Sequence, residues 1–229
     1  MIVAIDGPAG SGKSTVAHAI AEQCGFTYLD TGAMYRCVTL ACMEQGVDVQ
    51  DDEAVSEVAR KARIEFGASE QGQTVCLNGK DVTADIRTPQ IDKNVSAVSA
   101  IPAVREAMVS LQRAVGEQGD VVAEGRDIGT VVFPNAEVKV FLTADASARA
   151  HRRAVQREGK DAAVDASAAA DASKEQEILA DIIRRDKLDS TRETAPLRAA
   201  QDAHHIDSSN LGVDEVVDRI RALIDEARA

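Results

Sequence analysis

The fold turns on residues 1–25, "MIVAIDGPAGSGKSTVAHAIAEQCG". Residues 2–5, "IVAI", form a short continuous apolar run, as a parallel strand buried on both faces requires. From Lys13 onward the chain reads as a helix, with Val16, Ala19, Ile20 and Gln23 spaced along it and Gly25 as its stop. Between the two lies Gly7-Pro8-Ala9-Gly10-Ser11-Gly12-Lys13-Ser14-Thr15, which satisfies the G-x-x-x-x-G-K-[ST] pattern of a phosphate-binding loop in full. A chance match in a chain of this size is on the order of one in a hundred. The strand before it and the helix after it narrow that further. Such a loop must turn its backbone N–H groups inward around phosphate oxygens, and glycine permits the dihedrals. The helix adds the partial positive charge of its N-terminus. Residues Gly7 to Thr15 are therefore expected to hold the phosphates of a nucleoside triphosphate. Lys13 reaches the β- and γ-phosphates, and Ser14 is a ligand to Mg²⁺.

Working outward, "FTYLD" (26–30) reads as a second strand and "AMYRCVTLACMEQG" (33–46) as a second helix, so the elements alternate as in α/β proteins. Residues 63–92 break the alternation. Asn78-Gly79, between "TVCL" and "KDVT", predicts a hairpin whose turn needs two residues of positive φ. An antiparallel insertion of about three strands follows from that stretch. "IPAVREAMVSLQRAVGEQG" (101–119) returns to helix, "DVVAEGRD" (120–127) and "VKVFLTA" (138–144) to strand, and "SARAHRRAVQRE" (147–158) to an Arg-rich helix. "GKDAAVDASAAADAS" (159–173) is low in complexity and suits a solvent-facing lid. A helix to about Asp189, a strand at "AHHIDSS" and an amphipathic helix over 212–229 close the chain. The fold class is α/β: a parallel sheet of the P-loop NTPase type flanked by helices, with a small three-stranded antiparallel insertion and a lid. One domain spans 1–229, with its core over 1–62, 93–157 and 174–229, the insertion at 63–92 and the lid at 158–173.

Composition narrows the partners. The formal net charge is −12, which argues against polymeric nucleic acid and anionic membranes, since both need positive fields. Eighteen of the 26 basic residues are arginine, whose fork matches phosphate; an Arg- and Ala-rich codon bias would give the same count. Cys24, Cys37, Cys42 and Cys76 show no metal spacing and suit a reduced, cytoplasmic protein. No secretory leader or membrane span is expected, and a monomer is the default.

A phosphate loop alone leaves motor, GTPase, transporter ATPase and kinase open. Two further stretches bear on the choice. "YLDTGAMYR" (28–36) puts Thr31 at a helix start and Arg36 about one turn in, where a second phosphate group would sit well. "VVAEGRDIGTVVFP" (121–134) puts Arg126 and Asp127 just after a buried strand, at the carboxyl edge where α/β sheets bind ligands. Two arginine sites besides the loop suggest two phosphorylated substrates.

With these motifs, the chain resembles bacterial cytidylate kinases, P-loop nucleoside monophosphate kinases that phosphorylate CMP and dCMP. "IDGPAGSGKST", "LDTGAMYR", "IRTPQIDKNVSAVSAIPAVRE", "EGRDIGTVVFP" and "RRDKLDSTRETAPL" occur in the family's order and cover nearly the whole chain. The resemblance implies that Thr31, Arg36 and Arg126 hold the CMP phosphate. It implies that Ser96, Arg105 and Asp127 read the cytosine edge, and that Arg185, Asp189 and Arg192 reach ribose and phosphates. A carboxylate accepts from the exocyclic amine of cytosine, whereas uracil would face it with a carbonyl. Lys13, Arg126 and Arg185 are also the expected catalytic groups, together with Arg152 or Arg153 on the Arg-rich helix. Arg149, Arg152 or Arg153, and Arg157 recur on one face of that helix, which faces either the site or water. The 158–173 segment is longer and richer in Ala and Asp than a compact lid of this family. Each assigned side chain also has a plain reading: Ser96 and Arg105 as helix-surface groups, Arg126 with Asp127 as a surface ion pair, Asp189 with Arg192 as a helix-end pair.

The four histidines lack metal spacing and none is assigned to catalysis. No general base is required, because the second pKa of a phosphate monoester lies near ~6 and the acceptor is already ionised. Two other functions fit parts of the pattern: a kinase for UMP or a hydroxylated acid, and a P-loop switch. No GTPase-like base-reading "NKxD" supports the latter.

Overall fold

The computed structural model describes residues 1–69, 72–157 and 172–229. Most of the expected lid, 158–171, and the side chain of Arg157 lie outside the described residues. The described chain forms two compact units, one of Met1–Leu29 with Val115–Ala229 and one of Asp30–Ala114.

The first unit is built on a five-stranded sheet in the order β2-β6-β1-β7-β8. The strands are β1 (Ile2–Asp6), β2 (Thr27–Asp30), β6 (Val121–Gly125), β7 (Val138–Thr143) and β8 (His204–Asp207). β1 runs parallel to β6 and β7, and β7 parallel to β8, so their carboxyl ends share one edge. Asp6 is level with Gly125 on one side and Phe141 on the other. Val3, Ile5, Val122, Val138, Val140 and Leu142 of the sheet pack with α1 (Lys13–Cys24) and α8 (Val213–Arg228). α8 buries Val216, Val217, Ile220 and Ile224, as its apolar spacing predicts. α1 buries Val16, Ala17, Ile20 and Ala21, so its core face lies a step round from the expected one and Gln23 is exposed. Gly25, at φ 70, ends it in the left-handed conformation that glycine adopts without penalty. α6 (Ala146–Arg157) follows β7, and α7 (Ala172–Thr191) packs against it.

The second unit opens with α2 (Thr31–Glu44), capped by the Asp30 carboxylate, which accepts from the Ala33 amide. Two helices that the sequence reading did not separate follow: α3 (Asp52–Lys61) and, after the insertion, α4 (Pro89–Ala100). Pro102 starts α5 (Pro102–Gly116), most of which belongs to this unit. The insertion is the expected antiparallel sheet, β3 (Ile64–Ser69), β4 (Gly72–Leu77) and β5 (Lys80–Asp81), with Ile64 opposite Leu77 and Leu77 opposite Lys80. Its turn is Asn78-Gly79, with φ 52 and φ 82, the two positive values that a type I′ turn demands.

All four cysteines are free thiols; Cys37 and Cys42 are buried, Cys24 and Cys76 half-buried. Among the described residues no helix is long and apolar enough to cross a membrane.

Candidate active site

In the first unit, three adjacent strands deliver the site. β1 leads into the phosphate loop, β6 into Arg126-Asp127, and β7 into the arginine-bearing α6. Gly7, Gly10 and Gly12 all have positive φ, at 156, 77 and 92. A Cβ on Gly7 would also fall 2.0 Å from the Leu142 carbonyl oxygen, so both space and dihedral require glycine. Gly12 caps α1 with no side chain, which leaves the first amides of that helix for an anion. Lys13 is buried and folds back, donating to the Pro8 carbonyl at 2.8 Å and to Ser11 Oγ at 3.4 Å. Burial, helped by the nearby Arg126 charge, lowers its pKa to about 7. Ser14 and Thr15 are exposed on the first turn of α1, where a phosphate-bound cation would meet the Ser14 hydroxyl.

Asp6, at the end of β1, accepts from two consecutive amides, Ile128 at 2.7 Å and Gly129 at 2.8 Å. Burial nevertheless raises its carboxyl to about 6. The two bonds clamp the start of a π-turn over Ile128–Val132, directly after Asp127. Such turns are frequent where a backbone presents functional groups. Beside it, Tyr28 donates to the buried Glu124 at 2.5 Å.

Arg126 and Asp127 each meet an oppositely charged side chain from the chain segment around the end of α7. Arg126 Nε donates to Asp189 Oδ2 at 2.9 Å, and Arg192 Nη2 stands 3.5 Å from Asp127 Oδ1. Burial alone would raise Asp189, yet the charge and hydrogen bond of Arg126, with the charges of Arg185 and Arg192, hold it below the usual range. Arg192 also donates to the carbonyl of Ala195, a non-glycine residue at φ 50. Backbone held in that region tends to cluster at functional sites. The first unit thus gathers Arg126, Asp127, Asp189 and Arg192, with half-buried Arg185 contributing charge. The two ion pairs both link the turn after β6 to the chain around the end of α7, and Asp127 and Asp189 are buried, so these are not plain surface pairs.

On α6, Arg152 donates to Ser208 Oγ at 3.1 Å and to the Ser208 carbonyl at 2.5 Å. Ser208 in turn donates to the Ser11 carbonyl of the loop at 3.1 Å. Arg152 Nη1 lies 4.0 Å from where a Gly12 Cβ would be, so the half-buried side chain reaches toward the loop. Arg153 is half-buried.

The second unit gathers the other named residues. Thr31 is buried in the first turn of α2. Arg36, one turn on, donates to the Ile86 carbonyl at 3.0 Å and to Asp92 Oδ1 at 2.6 Å. Asp92 and Ser96 sit four apart on α4, both buried, so they share its inner face. Arg105 is buried as well, donates to the Ser99 carbonyl at 3.2 Å and lies over the Tyr35 ring at 5.5 Å. Neither Ser96 nor Arg105 is a solvated helix group. The sequence assigned no role to the partners Asp6, Asp92, Ser99, Asp186 and Ser208, and it placed Arg149 only on the Arg-rich face of its helix; a polar residue inside an apolar stretch, such as Asp92 after Ile91, was the signal available.

Among the described residues no three His, Cys, Asp or Glu side chains are placed to hold a metal. A cation here would be held by ATP, with Ser14 from the protein, because both Asp6 oxygens are already taken by amides.

Comparison with known proteins identifies the family. A family profile described as cytidylate kinase matches residues 3–226. A cytidylate kinase of Limosilactobacillus reuteri is 48% identical over 97% of this chain and 94% of its own. One of Carboxydothermus hydrogenoformans is 46% identical over 98% and 97%. A solved structure of an uncharacterized protein from Eubacterium ventriosum is similar in fold over 98% of both chains, with a TM-score of 0.50 at 17% identity. The chain belongs to the cytidylate kinase family.

Proposed function

We propose that the protein transfers the γ-phosphoryl group of ATP to CMP and dCMP, giving CDP and dCDP, by direct in-line displacement. The observation that carries this is the charged cluster after β6. Asp189 there holds Arg126, whose charge also acts on Lys13 of the phosphate loop, and Arg192 stands against the buried Asp127 carboxylate. Half-buried arginines on acidic partners are pre-oriented for an incoming phosphate, which would displace a carboxylate at little reorganisation cost. In this reading Gly7 to Thr15 bind ATP. Lys13 swings from the Pro8 carbonyl to the β- and γ-phosphates. Arg126, Arg185, Arg192 and Asp189 bind the CMP phosphate and ribose, and Asp127 accepts from the cytosine amine. In the second unit, Thr31 and Arg36 are assigned to the CMP phosphate, Ser96 and Arg105 to the base. Arg152 or Arg153 stabilises charge on the moving group.

The exposed Ser14 hydroxyl would hold a Mg²⁺ ion carried by ATP, which would supply neutralisation of phosphate charge. The chain supplies no general base and needs none, since the acceptor phosphate is ionised at neutral pH. Positioning and charge stabilisation carry the reaction. The protein acts as a cytoplasmic monomer on small nucleotides, in keeping with its net charge of −12 and free thiols. The test is ADP release from ATP with CMP, dCMP, UMP and AMP as acceptors. CMP and dCMP should give turnover well above UMP; release with CMP no faster than in buffer would sink the reading.

A further inference from the structure

Arg149 stands apart from the other arginines of α6. It is buried, and all its nitrogens are spent. Nε donates to the Ala144 carbonyl at 2.9 Å, Nη1 to the Ala9 carbonyl at 3.0 Å and Nη2 to Asp186 Oδ2 at 2.6 Å. Ala9 belongs to the phosphate loop. Asp186 belongs to α7, next to Arg185 and three residues before Asp189. The loop also touches α6 directly. A Cβ on Gly10, at φ +77, would stand 3.2 Å from Arg149 Cβ and 3.4 Å from the Arg149 carbonyl oxygen. The general phosphate-loop pattern leaves positions 9 and 10 unspecified. In this chain both are taken up by Arg149.

α6 and α7 pack together, with Ala150, Ala154, Ile178 and Ile182 forming a small core between them and Leu179 against it. His151 of α6 and Glu175 of α7 add a polar contact at 3.5 Å. The second Asp186 oxygen, Oδ1, is buried with no hydrogen-bond partner, so its hydrogen bonding rests on Arg149.

The geometry points to Arg149 and Asp186 as a positioning pair that sets the ATP-binding loop from the helix carrying the CMP-directed residues. This rests on the ATP and CMP assignments above; neither residue is itself assigned to a nucleotide. The physical reason is the orientation of one peptide. With its carbonyl held outward by Arg149, the Ala9 peptide keeps an oxygen away from the phosphates. Released, it can turn that oxygen toward an anion where the loop needs N–H groups. Loss of the pair therefore acts on ATP before CMP.

The test compares Arg149→Lys, Asp186→Asn and the double variant, with ATP and CMP varied separately and melting temperatures recorded. Asp186→Asn should raise KM for ATP about 5- to 10-fold, as loss of one charged hydrogen bond allows. KM for CMP should change less than about 2-fold. Arg149→Lys should behave alike, and the double variant no worse than the poorer single one, since both remove one interaction. A role in stability alone would lower the melting temperature and the active fraction but leave KM for ATP in place. An unchanged KM for ATP in Asp186→Asn, additive losses in the double variant, or an equal rise in both KM values overturns the proposal. If the double variant does not fold, the affinity of Asp186→Asn for a fluorescent ATP analogue decides, and an unchanged Kd overturns it. That affinity judges the pair even if wild-type protein proves inactive on CMP, in which case the substrate reading fails separately.

Discussion

Lys13 carries a cost that its function imposes. Burial and the neighbouring Arg126 lower its pKa from 10.5 to about 7. A group that binds protons more weakly when folded makes the folded state less stable wherever the unfolded chain holds the extra proton. The cost is full below about pH 7 and fades as pH rises from about 7 to 10.5. Lys13→Met should therefore abolish phosphoryl transfer and raise the melting temperature. That gain should be largest near pH 6.5 and shrink toward pH 10, as thermal melts across the range will show. Asp6 is lifted in the opposite sense: with its carboxyl raised to about 6, stability falls as pH climbs from about 4 to 6 and the buried carboxylate ionises. Asp127 makes the residue-scale prediction for specificity. Asp127→Ala should cut kcat/KM for CMP by about 100-fold or more while KM for ATP stays within about 2-fold, because a polar base edge is left unpaired. Equal loss on CMP and UMP would remove Asp127 from base reading.

At the scale of elements, the phosphate loop is the most tightly determined part of the chain. Gly7→Ala would drive a Cβ to 2.0 Å from the Leu142 carbonyl, a backbone atom of the next strand that cannot step aside. That variant should lose ATP binding outright in a titration with an ATP analogue and melt several degrees lower. The loop was legible in sequence because its φ values leave few residue choices, and the Asn78-Gly79 hairpin for the same reason. α3 and α4 were not. Their buried apolar positions are few, Val55, Val58 and Ala59 in one and Ile91, Val95 and Val98 in the other. Ser and β-branched residues weaken the local helical signal of α4, so tertiary packing decides it. The site was legible as residue types but not as pairings. Arg126 meets Asp189, and Asp6 meets Ile128, across separations of 63 and 122 residues that no local pattern reports.

For the whole molecule, binding and folding share one ledger. A nucleotide present at 100 times its Kd adds about 2.7 kcal/mol. For a chain of this length that corresponds to a melting shift of about 5–10 °C. CMP should produce such a shift and UMP at the same concentration much less; equal shifts would place recognition in the ribose and phosphate alone. The cysteines give a means of following each compact unit in solution. Burial pushes the Cys37 thiol up to about 12 and raises Cys42, so both are poor nucleophiles at neutral pH. The half-buried thiols are Cys24 and Cys76, one in each unit. Mild alkylation thus has two natural addresses. Their labelling rates, with and without ATP or CMP, would report on each unit separately in the unaltered protein.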